Sequence, residues 1–352
     1  MRVSILSELT SGVDAIYLSG RASLPSELLQ RLETAHSLAV ASGDGPPFQF
    51  GSEEMTLAPH GWGKYRYCLQ HPYGRIGITL SSRLPSIRIQ PYAEFLHGAG
   101  PQGVVDWFRS LLQEECGHVM LTVTRLDIFA DFQGWNLAGD ARHEFVCRAH
   151  DCHTYEDNGT FNGMVFGSRK SGSVMARLYD KTIESEKTGS AYWKMIWGDR
   201  YNPVLPVLRV EFELGRNLLR QYGLSTPEET LEAAGALWVS LTSSWLTHRT
   251  VGVDQTKSRW PISPEWECIQ RARVAESAHG INRMFLGRRR GSIANIMPNL
   301  IGYLASFGAY AGKKTFAEMI PELAVFMDLN ERDTGLTLTE RIEDRRKKFG
   351  LP

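Results

Sequence analysis

The sequence predicts an α+β fold in which an antiparallel-sheet domain is followed by a helical region. Three observations carry that reading. Apolar and polar residues alternate, the two-residue period of a strand, in run after run up to about Arg216. Helical periods interrupt this stretch at only two places. Beyond Gly215 the period becomes helical and stays so.

Taken in order, alternation runs through VDAIYLSG (13–20), PFQFGSEEMTL (47–57), KYRYCLQ (64–70), GRIGITL (74–80) and PSIRIQ (85–90). GVVDWFRSLLQEEC (103–116) reads as an amphipathic helix, and a second helical pattern lies near residues 139–150. Three charged strands complete the sheet: residues 123–132, the run around 175–184, and 208–216. In TPEETLEAAGALWVSLTSSWL, Thr226 is a cap residue with Pro227 in the first turn, and Ser263 with Pro264 repeats the device. The last helices, around 314–328 and 337–350, have apolar faces and charged backs. The expected division is therefore a sheet domain over 1–216 and a helical region over 217–352.

With 352 residues, 42% hydrophobic and 22% charged, the chain is an ordinary globular one with room for two or more cores. Its formal net charge of zero excludes a histone-like, generally sticky nucleic-acid binder but not a site-specific one. Basic character must then be local. Residues 281–314 contain Arg283, Arg288, Arg289, Arg290, Lys313 and Lys314 and no acidic residue, and GRRRGS is a candidate phosphate contact. The uncharged stretch Gly291–Gly312 is interrupted by Asn295, Pro298, Asn299 and Ser306, which suits a buried or partner-facing helix rather than a bilayer span. Glu8 and Asp14 stand where a secretory apolar core would lie, so no signal peptide and a cytoplasmic location are expected. Five cysteines, an odd number, fit reduced thiols. His143, Cys147, His150, Cys152 and His153 are zinc-compatible ligand types but lack a Cys-x-x-Cys knuckle, so a helix with scattered ligand-type residues is the expectation there and a structural zinc the alternative. Tyr65, Tyr67, Trp193 and Trp197 lie near basic residues but read as core aromatics.

The three charged strands carry the chemistry. MARLYDKTIE reads as a strand, so Arg177, Tyr179 and Lys181 fall on one face and Leu178 and Asp180 on the other. A free tyrosine has a pKa of about 10, so roughly one in a thousand is phenolate at neutral pH. Neighbouring cations would lower that cost and hold a phosphodiester. In VTRLDIFADF, Arg125, Asp127, Phe129 and Asp131 share one face, and in LRVEFELGR so do Arg209, Glu211 and Glu213. Carboxylates aligned on one face repel one another, and a hard divalent cation such as Mg2+ or Mn2+ is the usual reason to tolerate that. Taken singly, each segment also reads as a solvated sheet surface.

TRLDIFADF, FGSRKSGSVMARLYDKTIE and LRVEFELGR, in this order and at these separations, resemble the signature of the Rep_trans type of plasmid rolling-circle replication initiators, whose relatives occur in filamentous phages and integrative elements. The match covers residues 121–216. The resemblance implies a DNA relaxase that nicks one strand of an origin, single-stranded at the nick. Tyr179 is then the nucleophile that joins the 5′ phosphate and frees a 3′ hydroxyl primer, and Arg177, Lys181 and Arg209 are phosphate or carboxylate partners. Asp127 and Glu211, then Glu213 and Asp131, are the matching metal positions. Ser168 and Arg169, in a Gly/Ser-rich turn, suit a DNA phosphate, as do Arg288, Arg289 and Arg290. No His-hydrophobic-His motif and no second nearby tyrosine are present, so a second cleavage would need another subunit, and a homodimer is expected. The helical region would serve DNA recognition, dimerisation or a host helicase and polymerase.

Two other readings stay open on these residues. One is a metal-independent tyrosine recombinase or topoisomerase, which leaves the opposite polarity of phosphotyrosine link. The other is a non-catalytic origin-binding regulatory protein.

Overall fold

The structure is a computed structural model and describes residues 6–157, 160–169, 173–274 and 293–349. The chain divides into two compact units, residues 1–220 with 224–282 and residues 221–223 with 283–352. The expected boundary after residue 216 falls inside the first unit, so the helices up to residue 274 belong with the sheet.

The first unit opens with the long strand β1 (Ser7–Arg21), then α1 (Ser26–Ser42), β2 (Pro47–Phe50), β3 (Glu53–Leu57), β4 (Tyr67–His71), β5 (Gly74–Ile78) and β6 (Ile87–Pro91). Next come α2 (Ala93–Cys116), β7 (Met120–Gln133), β8 (Phe145–Cys147), β9 (Cys152–Asp157), β10 (Thr160–Phe166) and β11 (Val174–Asp180). They are followed by α3 (Lys181–Thr188), α4 (Trp193–Trp197), β12 (Leu208–Gly215), α5 (Arg216–Gln221), α6 (Pro227–Glu232), α7 (Ala234–Ser240), β13 (Leu246–His248) and α8 (Pro264–Gln270). Eleven strands form one antiparallel sheet in the order β2-β3-β4-β5-β6-β1-β7-β12-β11-β10-β9. The fold is α+β, built on antiparallel sheet.

Sequence dictates the layers. On β7, β11 and β12 the alternate residues Leu126, Ile128, Ala176, Leu178, Val210 and Phe212 are wholly buried, each larger one contributing about 1.5–3 kcal/mol by leaving water. Phe212 meets the edge of Trp238 on α7 at 5.5 Å, and the Trp238 indole donates to the Ile269 carbonyl of α8 at 2.9 Å. The helices after residue 216 thus cover the back of the charged strands. Thr226 and Glu229 form a reciprocal capping box at α6, and Ser263 caps α8.

Two local expectations are corrected. Residues 139–150 are not an α-helix: a 3-10 turn over Gly139–Glu144 gives way to β8, which pairs with β13. Tertiary packing decides this, because Phe145 is buried against Phe166 and Trp266. Cys147 therefore lies on β8 and Cys152 and His153 on β9, not on one helix. The helix over 226–246 also stops early. A π-helical stretch, Leu241–Trp245, follows α7, and the Thr242 carbonyl accepts from the Trp266 indole and the Gln270 amide at 2.8 and 2.9 Å.

The second unit holds α9 (Ile293–Tyr310), α10 (Phe316–Thr334) and α11 (Leu338–Phe349). Thr315 caps α10, and Phe307 meets Phe326 edge-on at 5.7 Å. Among the described residues no helix is long and apolar enough to cross a membrane. Arg288, Arg289 and Arg290 lie outside the described residues.

Candidate functional site

The charged residues come from β7, β12 and β11, three neighbours with β12 in the middle. Register pairs Asp131 with Arg209, Phe129 with Glu211 and Asp127 with Glu213, and on the other side Tyr179 with Arg209 and Arg177 with Glu211. Paired residues share a face, so Asp127, Asp131, Arg177, Tyr179, Arg209, Glu211 and Glu213 meet on one side of the sheet. Lys181 does not continue that strand face as expected. β11 stops at Asp180, whose carboxylate caps α3 by accepting from the Thr182 and Ile183 amides at 2.8 and 3.1 Å. Lys181 is the first residue of α3, buried, with its ammonium 4.8 Å over the Trp193 ring and paired to Glu184.

At one end of the face Arg209 is wholly buried. Its Nε and Nη2 donate to the two Asp131 oxygens at 2.7 and 2.8 Å, and its Nη1 donates to Asp14 at 2.8 Å. The guanidinium lies 4.0 Å from the Phe129 ring centre and 3.9 Å from that of Trp193, and the Trp197 indole donates to Asp131 at 2.8 Å. Burial disfavours the Arg209 charge, but Asp131, Tyr179 and Asp14 hold its pKa well above the ordinary value. Burial likewise opposes ionisation of Asp14, yet Arg209 and His97 hold that carboxyl well below the usual range. Asp131 is therefore spoken for, and a DNA contact by Arg209 would require it to leave this pair.

The other end is built differently. Arg125 donates to Asp127 through Nε at 2.7 Å and through Nη2, and its Nη2 is 2.9 Å from Glu213. Arg169 grips Glu213 with both Nε and Nη2, at 2.7 and 2.8 Å. One atom, Arg177 Nη2, lies 2.9 Å from Glu211, 3.1 Å from Glu213 and 3.6 Å from Asp127. Among the described residues the buried Arg177 Nε has no hydrogen-bond partner. Burial raises the Asp127 pKa against the pull of Arg125, whereas at Glu213 the opposing burial is overcome by Arg169, Arg125 and Arg177, which lower it. Ser168 is half-buried beside the exposed Arg169.

Tyr179 sits between the two ends, its hydroxyl donating to Glu211 Oε2 at 3.0 Å. Burial, and then the Glu211 charge, push the phenol pKa well above 10 despite Arg209. This reverses the expectation that neighbouring cations make the phenol more acidic. Burial, with Asp14 adding to it and Arg177 opposing, pushes Glu211 up to about 7. A hydroxyl bonded to a carboxylate of near-neutral pKa has the arrangement of a nucleophile with its own base.

Gly163 on β10 stands opposite Tyr179. A Cβ there would lie 2.7 Å from the Leu178 carbonyl and 2.8 Å from Tyr179 Cβ, so the position needs glycine for space. Tyr179, Arg177 and Gly163 line a cavity of about 470 Å³ bounded by β10, β11 and α3.

Asp127, Glu211 and Glu213 offer the hard oxygen donors that Mg2+ or Mn2+ prefer. As the side chains stand, however, they do not fit a metal. Guanidinium groups take up their oxygens, Arg177 Nη2 occupies the point where the three converge, and among the described residues no three His, Cys, Asp or Glu side chains are placed to hold one. Sequence reasoning missed Asp14, which read as one charge in an alternating strand, and Gly163, whose isolation inside a strand signals close approach. Arg125 was legible on the face but given no role.

No protein-family model matches the sequence, and no curated protein matches it. Among solved structures the chain is similar to that of a rolling circle replication initiator protein from Geobacillus stearothermophilus. The likeness has 15% sequence identity and a TM-score of 0.46, and it covers 77% of this chain and 98% of that one.

Proposed function

We propose that the protein is a rolling-circle replication initiator that nicks and rejoins one strand of origin DNA through Tyr179. The hydrogen bond from the Tyr179 hydroxyl to Glu211 supports this most directly, because it gives an otherwise unreactive phenol a base. Tyr179 Oη attacks phosphorus and passes its proton to Glu211. The P–O bond to the 3′ oxygen breaks, that oxygen takes a proton from water, and a 5′-phosphotyrosine and a free 3′ hydroxyl result. Arg177, which lines the same cavity, would hold a phosphate oxygen. The bond energy stays in the phosphotyrosine, so the strand can be resealed.

Dependence on Mg2+ or Mn2+ is part of the proposal, with Asp127, Glu211 and Glu213 as donors once Arg177 withdraws. A metal-independent version has one observation in its favour: three guanidinium groups already neutralise those three carboxylates. A homodimer, a host helicase and polymerase, and a cytoplasmic location complete the proposal.

The test is cleavage of end-labelled single strands from the DNA element encoding the protein, with Mg2+, Mn2+ or EDTA, by wild type and Tyr179→Phe. A covalent adduct on the 5′ phosphate that vanishes in Tyr179→Phe is expected. An adduct that survives the substitution moves the nucleophile elsewhere, one of 3′ polarity indicates a recombinase, and binding without cleavage indicates a regulatory protein.

A further inference from the structure

A second cavity, of about 670 Å³, lies on the sheet beside the carboxylate cluster. Six arginines line it: Arg21 from β1, Arg88 from β6, Arg125 from β7, Arg169 beyond β10, and Arg216 and Arg220 from α5. Among the described residues its one acidic lining residue, Glu213, is already held by Arg125 and Arg169. In a chain with 39 basic and 39 acidic residues, that is a concentrated positive field.

Among the described residues Arg21, Arg88, Arg216 and Arg220 make no ion pair. Like charges crowd there: burial, then Arg220 and Arg21, make the Arg216 guanidinium easier to deprotonate than usual. Cations left close together without a counter-charge destabilise the fold, and a polyanion entering the cavity would relieve them. The volume lies in the range of about 300–1,000 Å³ that small ligands fill, which suits one or two unpaired nucleotides and excludes a duplex. Tyr17, half-buried with Arg125 4.9 Å over its ring, supplies an aromatic face beside the arginines.

We propose that this cavity is the track for a single DNA strand, whose phosphates the six arginines hold. Through the 3.1 Å approach of Glu213 to Arg177 it adjoins the smaller cavity that contains Tyr179. The direction of the track, toward Tyr179, rests on the nicking function proposed above, while the presence of a strand in the cavity does not.

The experiment measures binding of a fluorescein-labelled 12-nucleotide single strand to Tyr179→Phe protein, with and without Arg21→Ser and Arg220→Ser, across a salt series. Both arginines are exposed and repel their neighbours, so the substituted protein should melt no lower than the unsubstituted one. At least a tenfold loss of affinity is expected, and the slope of log K against log salt should fall by about 1.4, or about 0.7 for each phosphate no longer neutralised. Unchanged affinity and slope would overturn the proposal, as would loss of duplex binding with single-strand binding intact. Photocrosslinking of wild type to a strand containing 5-iodouracil should label the peptides carrying Tyr17 or Arg216–Arg220, and labelling confined to other peptides would also overturn it. If wild type forms no tyrosyl adduct while the arginine substitutions still weaken binding, the nicking function fails and the track stands. If adducts form and binding is unchanged, the track alone fails.

Discussion

The two ends of the charged sheet face use the same residue types for opposite ends. Around Arg209 the Asp131 and Asp14 oxygens are taken up by the guanidinium, the Trp197 indole and His97, tryptophans close the top, and the guanidinium is wholly buried. Around Glu213 three arginines share a carboxylate, one of them has an unused buried Nε, and the Arg169 side chain is 60% exposed. Saturated and buried, an ion pair sets strand register. Over-supplied with donors and partly open at Arg169, it can, on the function proposed above, share those donors with phosphate oxygens.

Substitution should break this contrast in graded steps. Arg209→Met strands Asp131 and Asp14 in the interior and should cost about 3–5 kcal/mol, read as a fall in the urea midpoint. Glu211→Gln removes the base and should slow adduct formation about 100-fold. Because Glu211 must be ionised to accept the proton, the wild-type rate without added metal should rise with pH through about 7. That inflection should be missing from the Glu211→Gln profile, and its persistence would assign the base elsewhere. Gly163→Val presses a side chain into Tyr179 and should cost about 1–3 kcal/mol. Adduct yield should fall further than calorimetric stability predicts. Arg177→Met vacates the point where three carboxylates converge and should tighten Mn2+ binding about tenfold, or about 1.4 kcal/mol, by paramagnetic resonance. Unchanged binding would show that Arg177 and a cation do not compete. Arg169→Ala, at the exposed end, should change stability by less than about 1 kcal/mol.

Much of this face was legible because the strand period is local: alternation alone puts Arg177 and Tyr179, Asp127 and Asp131, and Glu211 and Glu213 on common faces. What no short window contains is which cation meets which carboxylate. Arg125 reaches Glu213 only because β12 lies beside β7. The rise in the phenol pKa was illegible for a related reason, since the burial that causes it is a property of the folded surroundings and not of the segment. The end of β11 was in principle readable, as Asp180 is a good cap residue before a helical run, but the alternation of Arg177, Tyr179 and Lys181 masked it. The arginine-lined cavity was missed because it gathers single residues from elements that look unremarkably charged one at a time.

The sheet order also has a consequence for timing. β12 lies between β7 and β11 yet is synthesised after both, so Glu211 leaves the ribosome later than Tyr179, whose hydroxyl donates to it. Until that strand slides between its neighbours, the phenol lacks Glu211 as acceptor and Arg177 and Arg169 lack Glu211 and Glu213. On the function proposed above, a growing or truncated chain that ends before β12 lacks Glu211 and should form no tyrosyl adduct.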